Sequence, residues 1–198
     1  LLFLLGAIFG KIMENSGAAT SVGNWVIEKI GTRNAIVAVV LATGVLVYGG
    51  VSVFVVAFTM YPLAMGIFHQ ANLPKRLVAG SIALGSWTFG MTALPGTPQI
   101  QNIIPTEYFG TTATAAPLLG ILSGLLMFVG GTYYLNREAK KAKENGEEFE
   151  IGEEDEKHVN TDVDEDLPNF FFSILPLITI VVLLNVFKIN INVSLLSG

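Results

Sequence analysis

Residues 93–106 read ALPGTPQIQNIIPT, and they lie between two apolar stretches, RLVAGSIALGSWTFGMT (76–92) and AAPLLGILSGLLMFVGGTYYL (115–135). The chain around them is 52% hydrophobic and only 14% charged, the composition of a membrane protein. In lipid, backbone without helical hydrogen bonds costs several kcal/mol per unpaired group, so such a break survives only where protein or water covers it. Its chemistry is ordered. Gly96 supplies backbone freedom, Thr97 is a good N-cap, and Pro98 suits the first helical position. A half-helix starting at Pro98 would point its free N–H groups and positive dipole end into the membrane interior, where they would attract an anion.

A second break has the same form. Tyr48-Gly49-Gly50-Val51-Ser52 interrupts the apolar run 34–70, and a helix beginning near Val51 would turn another N-terminus inward beside the Ser52 hydroxyl. Two inward helix ends near the midplane are how secondary transporters hold anionic substrates. Simple kinking of ordinary spans is the competing explanation; two breaks, each followed by a plausible helix start, favour the site. Between them, Ser81, Gly85, Thr88 and Thr92 share one helix face. That stripe permits close packing against the hairpin and also offers hydroxyl oxygens.

Topology follows from length and charge. Residues 1–13 read as the end of a span, 22–30 as a short amphipathic helix ending at Gly31, and 169–187 as a further span carrying Pro176. Lys29 and Arg33 precede the 34–70 unit, Lys75 and Arg76 follow it, and Arg137, Lys140, Lys141 and Lys143 follow the 115–135 span. Positive loops stay cytoplasmic, so the 34–70 unit starts and finishes on that side. Residues 34–48 reach roughly 22 Å, short of a hydrocarbon core of about 30 Å, which predicts a re-entrant hairpin turning at 48–50. Of the 16 acidic residues, 13 lie between Glu138 and Asp166, so the formal charge of −5 belongs to a solvated loop. The chain opens at Leu1 inside an apolar run, which reads as a fragment of a longer membrane protein.

Glu14 and Glu107 are the carboxylates placed to take up a coupling proton. His69 lies among polar and basic residues at the cytoplasmic rim and His158 in the acidic loop, so both are read as solvated. With no cysteine, neither a disulfide framework nor a thiolate metal site can form. No catalytic cluster, metal site or cofactor is expected. GTPQIQN has no lysine and is not a phosphate-binding loop. A channel would need a ring of charges or carbonyls, and none is apparent.

The stretches GAIFGKIMENSGAA, YGGVSVFVVAFTMYPLA, ALPGTPQIQNIIPT and YFGTTATAAPLLGI together resemble the gluconate permease family of proton-coupled organic-anion symporters, in order and spacing, from about residue 6 to 138. More distantly, the hairpin-then-GTPQIQN order is similar to divalent-anion/sodium symporters, although GTPQIQN departs from their GTPPN pattern. The resemblance implies an all-α polytopic secondary-transporter fold, with a re-entrant hairpin and a discontinuous helix forming one of two inverted repeats. It would place Gly49, Gly50 and Ser52 at the hairpin tip, and Gly96, Thr97, Pro98 and Asn102 in the unwound segment facing substrate. The organisation expected is a transport region at 1–135 (hairpin 34–70, broken helix 77–104, span 115–135), an acidic cytosolic loop at 136–168, and a further helix and tail at 169–198. The function implied is import of a small hydroxylated carboxylate, such as gluconate or a related sugar acid, with protons across the plasma membrane. A sodium-coupled di- or tricarboxylate carrier is the alternative within the superfamily, and a channel the alternative of another class. Expected partners are the organic anion, the proton (or sodium) and the bilayer, with a second copy of the chain as an option and no nucleic acid.

Overall fold

The computed structural model describes residues 2–91, 94–150, 152 and 167–198, and regular structure among them is entirely helical. In order these are α1 (Leu2–Asn15), α2 (Ala18–Ile30), a 3-10 turn (Thr32–Asn34), α3 (Ala35–Tyr48), α4 (Val53–Gln70) and α5 (Arg76–Ser86). A π-helical turn (Trp87–Met91), α6 (Ile100–Phe109), α7 (Pro117–Glu144), α8 (Phe170–Asn185) and α9 (Ile191–Ser197) complete the chain.

The centre of the bundle is α3. Its sequence, AIVAVVLATGVLVY, is apolar on every side, and a helix of that kind has to be enclosed. Ala38, Val39, Val40, Ala42, Leu46 and Val47 are fully buried, with α2, α4 and α5 packed around them. Close approach of α5 depends on Gly85, where an added Cβ would strike the Val40 carbonyl oxygen and lie 2.8 Å from Thr43 Cβ. Ser81 and Thr88 are buried on the same side, and Ser81 Oγ donates to Leu77 O of its own helix (2.9 Å). The small-residue stripe therefore packs rather than lining a cavity; Thr92, its last member, lies outside the described residues.

At Gly31 (φ 78°) the chain turns so sharply that α2 and the 3-10/α3 unit meet at 96°. This makes α2 a helix laid across the root of α3. It starts at Ala18 rather than at the expected residue 22, because the left-handed Gly17 (φ 71°) completes the turn from α1 within two residues. The hairpin α3–α4 has its two arms packed together and its tip at residues 49–52. From its root, 14 residues of α3 reach roughly 21 Å, less than a hydrocarbon core of about 30 Å. The fold is that of an all-α membrane protein with a helical hairpin and a discontinuous helix, as the sequence predicts.

Among the described residues two helices, α4 and α7, are individually long and apolar enough to cross a membrane. On α7, Leu118, Leu119, Leu125 and Leu126 are 56–75% exposed, an apolar face suited to lipid. The loop expected from residue 136 begins later than that. The helix runs on to Glu144, because Ala139 and Ala142 continue the buried stripe begun at Leu135 and Lys141 pairs with Glu138 (2.6 Å) one turn away. Only beyond Glu144 does the connector leave helical form, and most of its acidic part, His158 included, lies outside the described residues.

Several connections lie at one end of the bundle. Arg33, Ala71, Leu73 and Asn136 line one cleft of ≈ 330 Å³, so both roots of the hairpin and the end of the apolar part of α7 are neighbours. Arg76 forms a two-point ion pair with Glu147 (3.0 and 3.4 Å), and Phe149 N donates to Asn72 Oδ1 (3.0 Å). His69 is exposed at this rim, with Phe149 edge-on at 5.3 Å. From α2, where Ser21 Oγ donates to Pro168 O (2.7 Å) and Trp25 stacks on Phe170, α8 descends into the bundle; its last residue, Asn185, bonds the second break.

Candidate functional site

The two sequence breaks meet. After Tyr48, three amides fold back on the end of α3: Gly49 N to Val45 O, Gly50 N to Val47 O and Val51 N to Leu46 O, all 3.0–3.1 Å. Gly50 has φ 104°, a conformation open to glycine and strained for any other residue. Ser52 then occupies the N-cap position of α4 without a side-chain capping bond, and Val56 N to Ser52 O (2.9 Å) closes the first turn. The N–H groups of Val53, Phe54 and Val55 consequently have no acceptor within the helix.

The second break is held by its own set of bonds. Gly96 (φ 85°) donates its N–H to Ala113 O (2.8 Å), and Asn102 Nδ2 donates to both Thr97 O (2.9 Å) and Ala113 O (2.7 Å). The expected start of the half-helix is corrected here. The N-cap position belongs to Gln99, not Thr97, and α6 begins at Ile100, not Pro98. Thr97 Oγ1 accepts from Gln99 N at 3.4 Å, outside the helix. The cause is the Gln99 side chain, whose Nε2 donates to Val47 O (2.7 Å) and Val51 O (2.9 Å) on the hairpin tip. With the amide drawn to the tip, the Gln99 backbone stays extended (φ −64°, ψ 147°) and the helix starts two residues later than expected.

Gln99 thus joins the N-terminal ends of α4 and α6. A second bond, Tyr48 Oη to Pro95 O (2.9 Å), ties the same elements together. Contact at the centre is tight: an added Cβ on Gly50 would lie 3.0 Å from Pro98 Cγ, and one on Gly49 would lie 2.7 Å from Leu177 Cβ of α8. An added Cβ on Gly10 of α1 would meet Ser52 N and Cβ at 3.6 and 3.7 Å, so α1 closes that side. Thr97 and Gln99 are 0% and 7% exposed, and the junction is closed.

Of the residues singled out in the sequence, Gly49, Gly50, Ser52, Gly96, Thr97, Pro98 and Asn102 all fall at this tip-and-break junction, Asn102 as a brace for the unwound backbone. The two carboxylates do not. Glu14 sits in the last turn of α1 and pairs with Lys11 (3.1 Å), while Glu107 is exposed near the end of α6. Gln99 and Tyr48 are the bridging residues that sequence reasoning missed. A glutamine directly after Pro98, in a polar stretch set between two apolar segments, was the available signal for the first.

Electrostatically the junction is one-sided. The Val45, Leu46 and Val47 carbonyls at the end of α3, a negative helix terminus, are occupied by the tip amides and by Gln99, whereas the N–H groups of Val53, Phe54 and Val55 in α4 and of Ile100 and Gln101 in α6 have no helical acceptor. The junction thus offers main-chain donors from two helix starts. A separate cleft of ≈ 320 Å³ lies beside the tip, walled by Leu41, Val45, Phe89, Leu177 and Val181. Those walls carry no donor for a carboxylate, so the cleft is not where an anion would sit. No group of three or more His, Asp or Glu residues gathers into a metal-binding cluster among the described residues.

Comparison with known proteins gives a consistent result. A family model described as GntP family permease matches residues 1–196. "Uncharacterized transporter YxjC" of Bacillus subtilis is 51% identical over 147 residues, covering 74% of this chain and 31% of its own length. An "Uncharacterized transporter" of Haemophilus influenzae is 27% identical over 179 residues, covering 90% of this chain and 39% of its own. The chain thus spans between 31% and 39% of the length of these curated relatives. No solved structure matches.

Proposed function

The chain belongs to the GntP family of permeases, and from that premise we propose that it forms the anion-holding part of a secondary carrier for a small hydroxylated carboxylate. Gluconate or a related sugar acid is the substrate class, and protons are the driving ion. One observation carries this reading: the N-termini of α4 and α6 meet at a junction whose competing carbonyls are already occupied by Gln99. A carboxylate bound there would take hydrogen bonds from main-chain N–H groups, each of the charge-assisted kind. A hydroxylated solute suits a junction framed by side-chain amides and hydroxyls. Alternating access would open and close the contact between tip and break, leaving the outer helices as a frame.

The carrier is multi-pass in the plasma membrane, with the 136–168 connector in the cytoplasm. Support for this orientation is the common end shared by Arg33, Arg76 and the basic end of α7, which the positive-inside rule assigns to the cytoplasm. The test is uptake by the full-length protein in proteoliposomes, using radiolabelled gluconate, glycerate, lactate and citrate under an imposed pH or sodium gradient. Accumulation of a hydroxy monocarboxylate driven by an inward proton gradient is the expected result. Citrate uptake that needs sodium would transfer the protein to the di- and tricarboxylate class, and passive equilibration of all four would make it a channel.

A further inference from the structure

We infer that Asn185, at the end of α8, is a positioning residue for the substrate site, holding the second break in its binding geometry. This rests on the junction being that site. The helix FFFSILPLITIVVLLN carries three polar side chains, and two of them bond their own helix: Ser173 Oγ to Asn169 O (3.1 Å) and Thr179 Oγ1 to Leu175 O (2.8 Å). Asn185 alone reaches another element. Its Nδ2 donates to Val181 O (2.8 Å) and, across the bundle, to Gly96 O (2.8 Å).

The bond fixes the orientation of one peptide. Gly96 O belongs to the peptide that links Gly96 to Thr97, so locking the carbonyl also locks the direction of the Thr97 N–H. An added Cβ at Gly96 would lie 2.8 Å from Asn185 Oδ1, so break and amide are in direct contact. The same helix also presses Leu177 against Gly49 at the hairpin tip. Asn185 follows Leu177 by eight positions, roughly 12 Å of helix, so α8 is a strut that touches both halves of the junction. The Asn185 Oδ1 atom is buried with no partner. The amide therefore acts here through its donor end alone, at the carbonyl of the break.

The experiment uses the full-length carrier in proteoliposomes, with whichever of radiolabelled gluconate, glycerate, lactate or citrate the wild type accumulates. Asn185→Leu keeps the volume and removes the donor, while Asn185→Asp keeps the shape and turns an acceptor toward two carbonyls. Both should raise the half-saturation concentration by roughly tenfold or more, the effect of losing one well-placed hydrogen bond, with Asn185→Asp the worse. Maximal rate per inserted molecule and melting temperature should stay near wild type, and Thr179→Val, on the same helix, should change nothing. A fall in maximal rate or in insertion at unchanged half-saturation, or no change at all, overturns the inference; so does recovery of both variants only as aggregate, which makes Asn185 a folding residue. If Gln99→Leu and Gly50→Val also leave half-saturation unchanged, the site itself is elsewhere. If they shift it and Asn185→Leu does not, only the role of Asn185 falls.

Discussion

Replacing Gln99 by leucine separates the bridge between the two breaks from the rest of the fold. The side chain is 7% exposed and donates twice, to Val47 O and Val51 O. Val47 O keeps a second donor, Gly50 N, so its loss is partial. For Val51 O, the Gln99 amide is the sole donor found among the described residues, and its loss leaves a carbonyl unsatisfied. A net hydrogen bond is worth about 0.5–1.5 kcal/mol, and an unsatisfied buried acceptor costs about 1–3 kcal/mol, so Gln99→Leu should cost roughly 2–3 kcal/mol of junction stability. If substrate binds only the assembled junction, that cost appears in affinity, and at about 1.4 kcal/mol per tenfold it amounts to roughly a 30- to 150-fold rise in half-saturation. Gln99→Glu, the same size but with an acceptor in place of the donor, should be at least as damaging. Equilibrium binding to detergent-solubilised full-length carrier, read beside a thermal melt, is the direct assay. Wild-type affinity in Gln99→Leu with a normal melt would refute the reasoning, because the bridge would then have no energetic link to binding.

Single cysteines at positions 31 and 73, introduced into a chain that has none, should both label from the cytoplasmic side only; labelling from opposite sides would mean that 34–70 makes one net crossing and would overturn the re-entrant hairpin. Glu14→Gln should abolish concentrative uptake while leaving counterflow at fixed pH intact, and normal pH-driven accumulation would remove Glu14 from coupling. Gly85→Ala drives a Cβ into Val40 O and should lower the melting temperature and yield, by about 1–3 kcal/mol of overpacking, with half-saturation unchanged in the protein that survives. Thr97→Val removes a single long bond of 3.4 Å to Gln99 N and should weaken binding by less than roughly tenfold, well below the effect of Gln99→Leu.

The sequence located both breaks because glycine and proline act through the backbone, and their effect can be read without knowing any neighbour. The hairpin, the end of α2 at Gly31 and the convergence on Gly49, Gly50, Gly96 and Pro98 were legible for that reason. The helix start at Ile100 was not. Thr97-Pro98 is a good local start signal, but the Gln99 side chain is drawn to carbonyls 48 and 52 residues away, and a contact of that kind overrides a local preference. The extension of α7 to Glu144 was missed for a different reason. Its charged turns read as solvated loop, yet ion pairs within the helix and alanines at buried positions keep it wound. Asn185 carried no signal at all, since a polar residue at the end of an apolar helix ordinarily belongs to the interface.

The accounting of polar groups explains why an apolar chain tolerates backbone unwound so deep in its core. Pro95 O accepts from Tyr48 Oη, Gly96 O from Asn185 Nδ2, Thr97 O from Asn102 Nδ2, and Gln99 O from the N–H groups of Asn102 and Ile103. Val47 O and Val51 O across the junction accept from Gln99. The side chains that serve the break are thus mostly amides, and each uses its donor end. A break braced this way has these carbonyls occupied, while the N–H groups that open α4 and α6 keep no helical acceptor. Had the braces been Asp or Glu, they would have capped those donors instead and presented negative charge to an arriving solute. Neutral amides satisfy these carbonyls without adding charge, leaving the N–H groups of Val53, Phe54 and Val55 in α4 and of Ile100 and Gln101 in α6 without a helical acceptor. On the proposed reading, an anion with room for two or three such bonds is the solute that complements that arrangement.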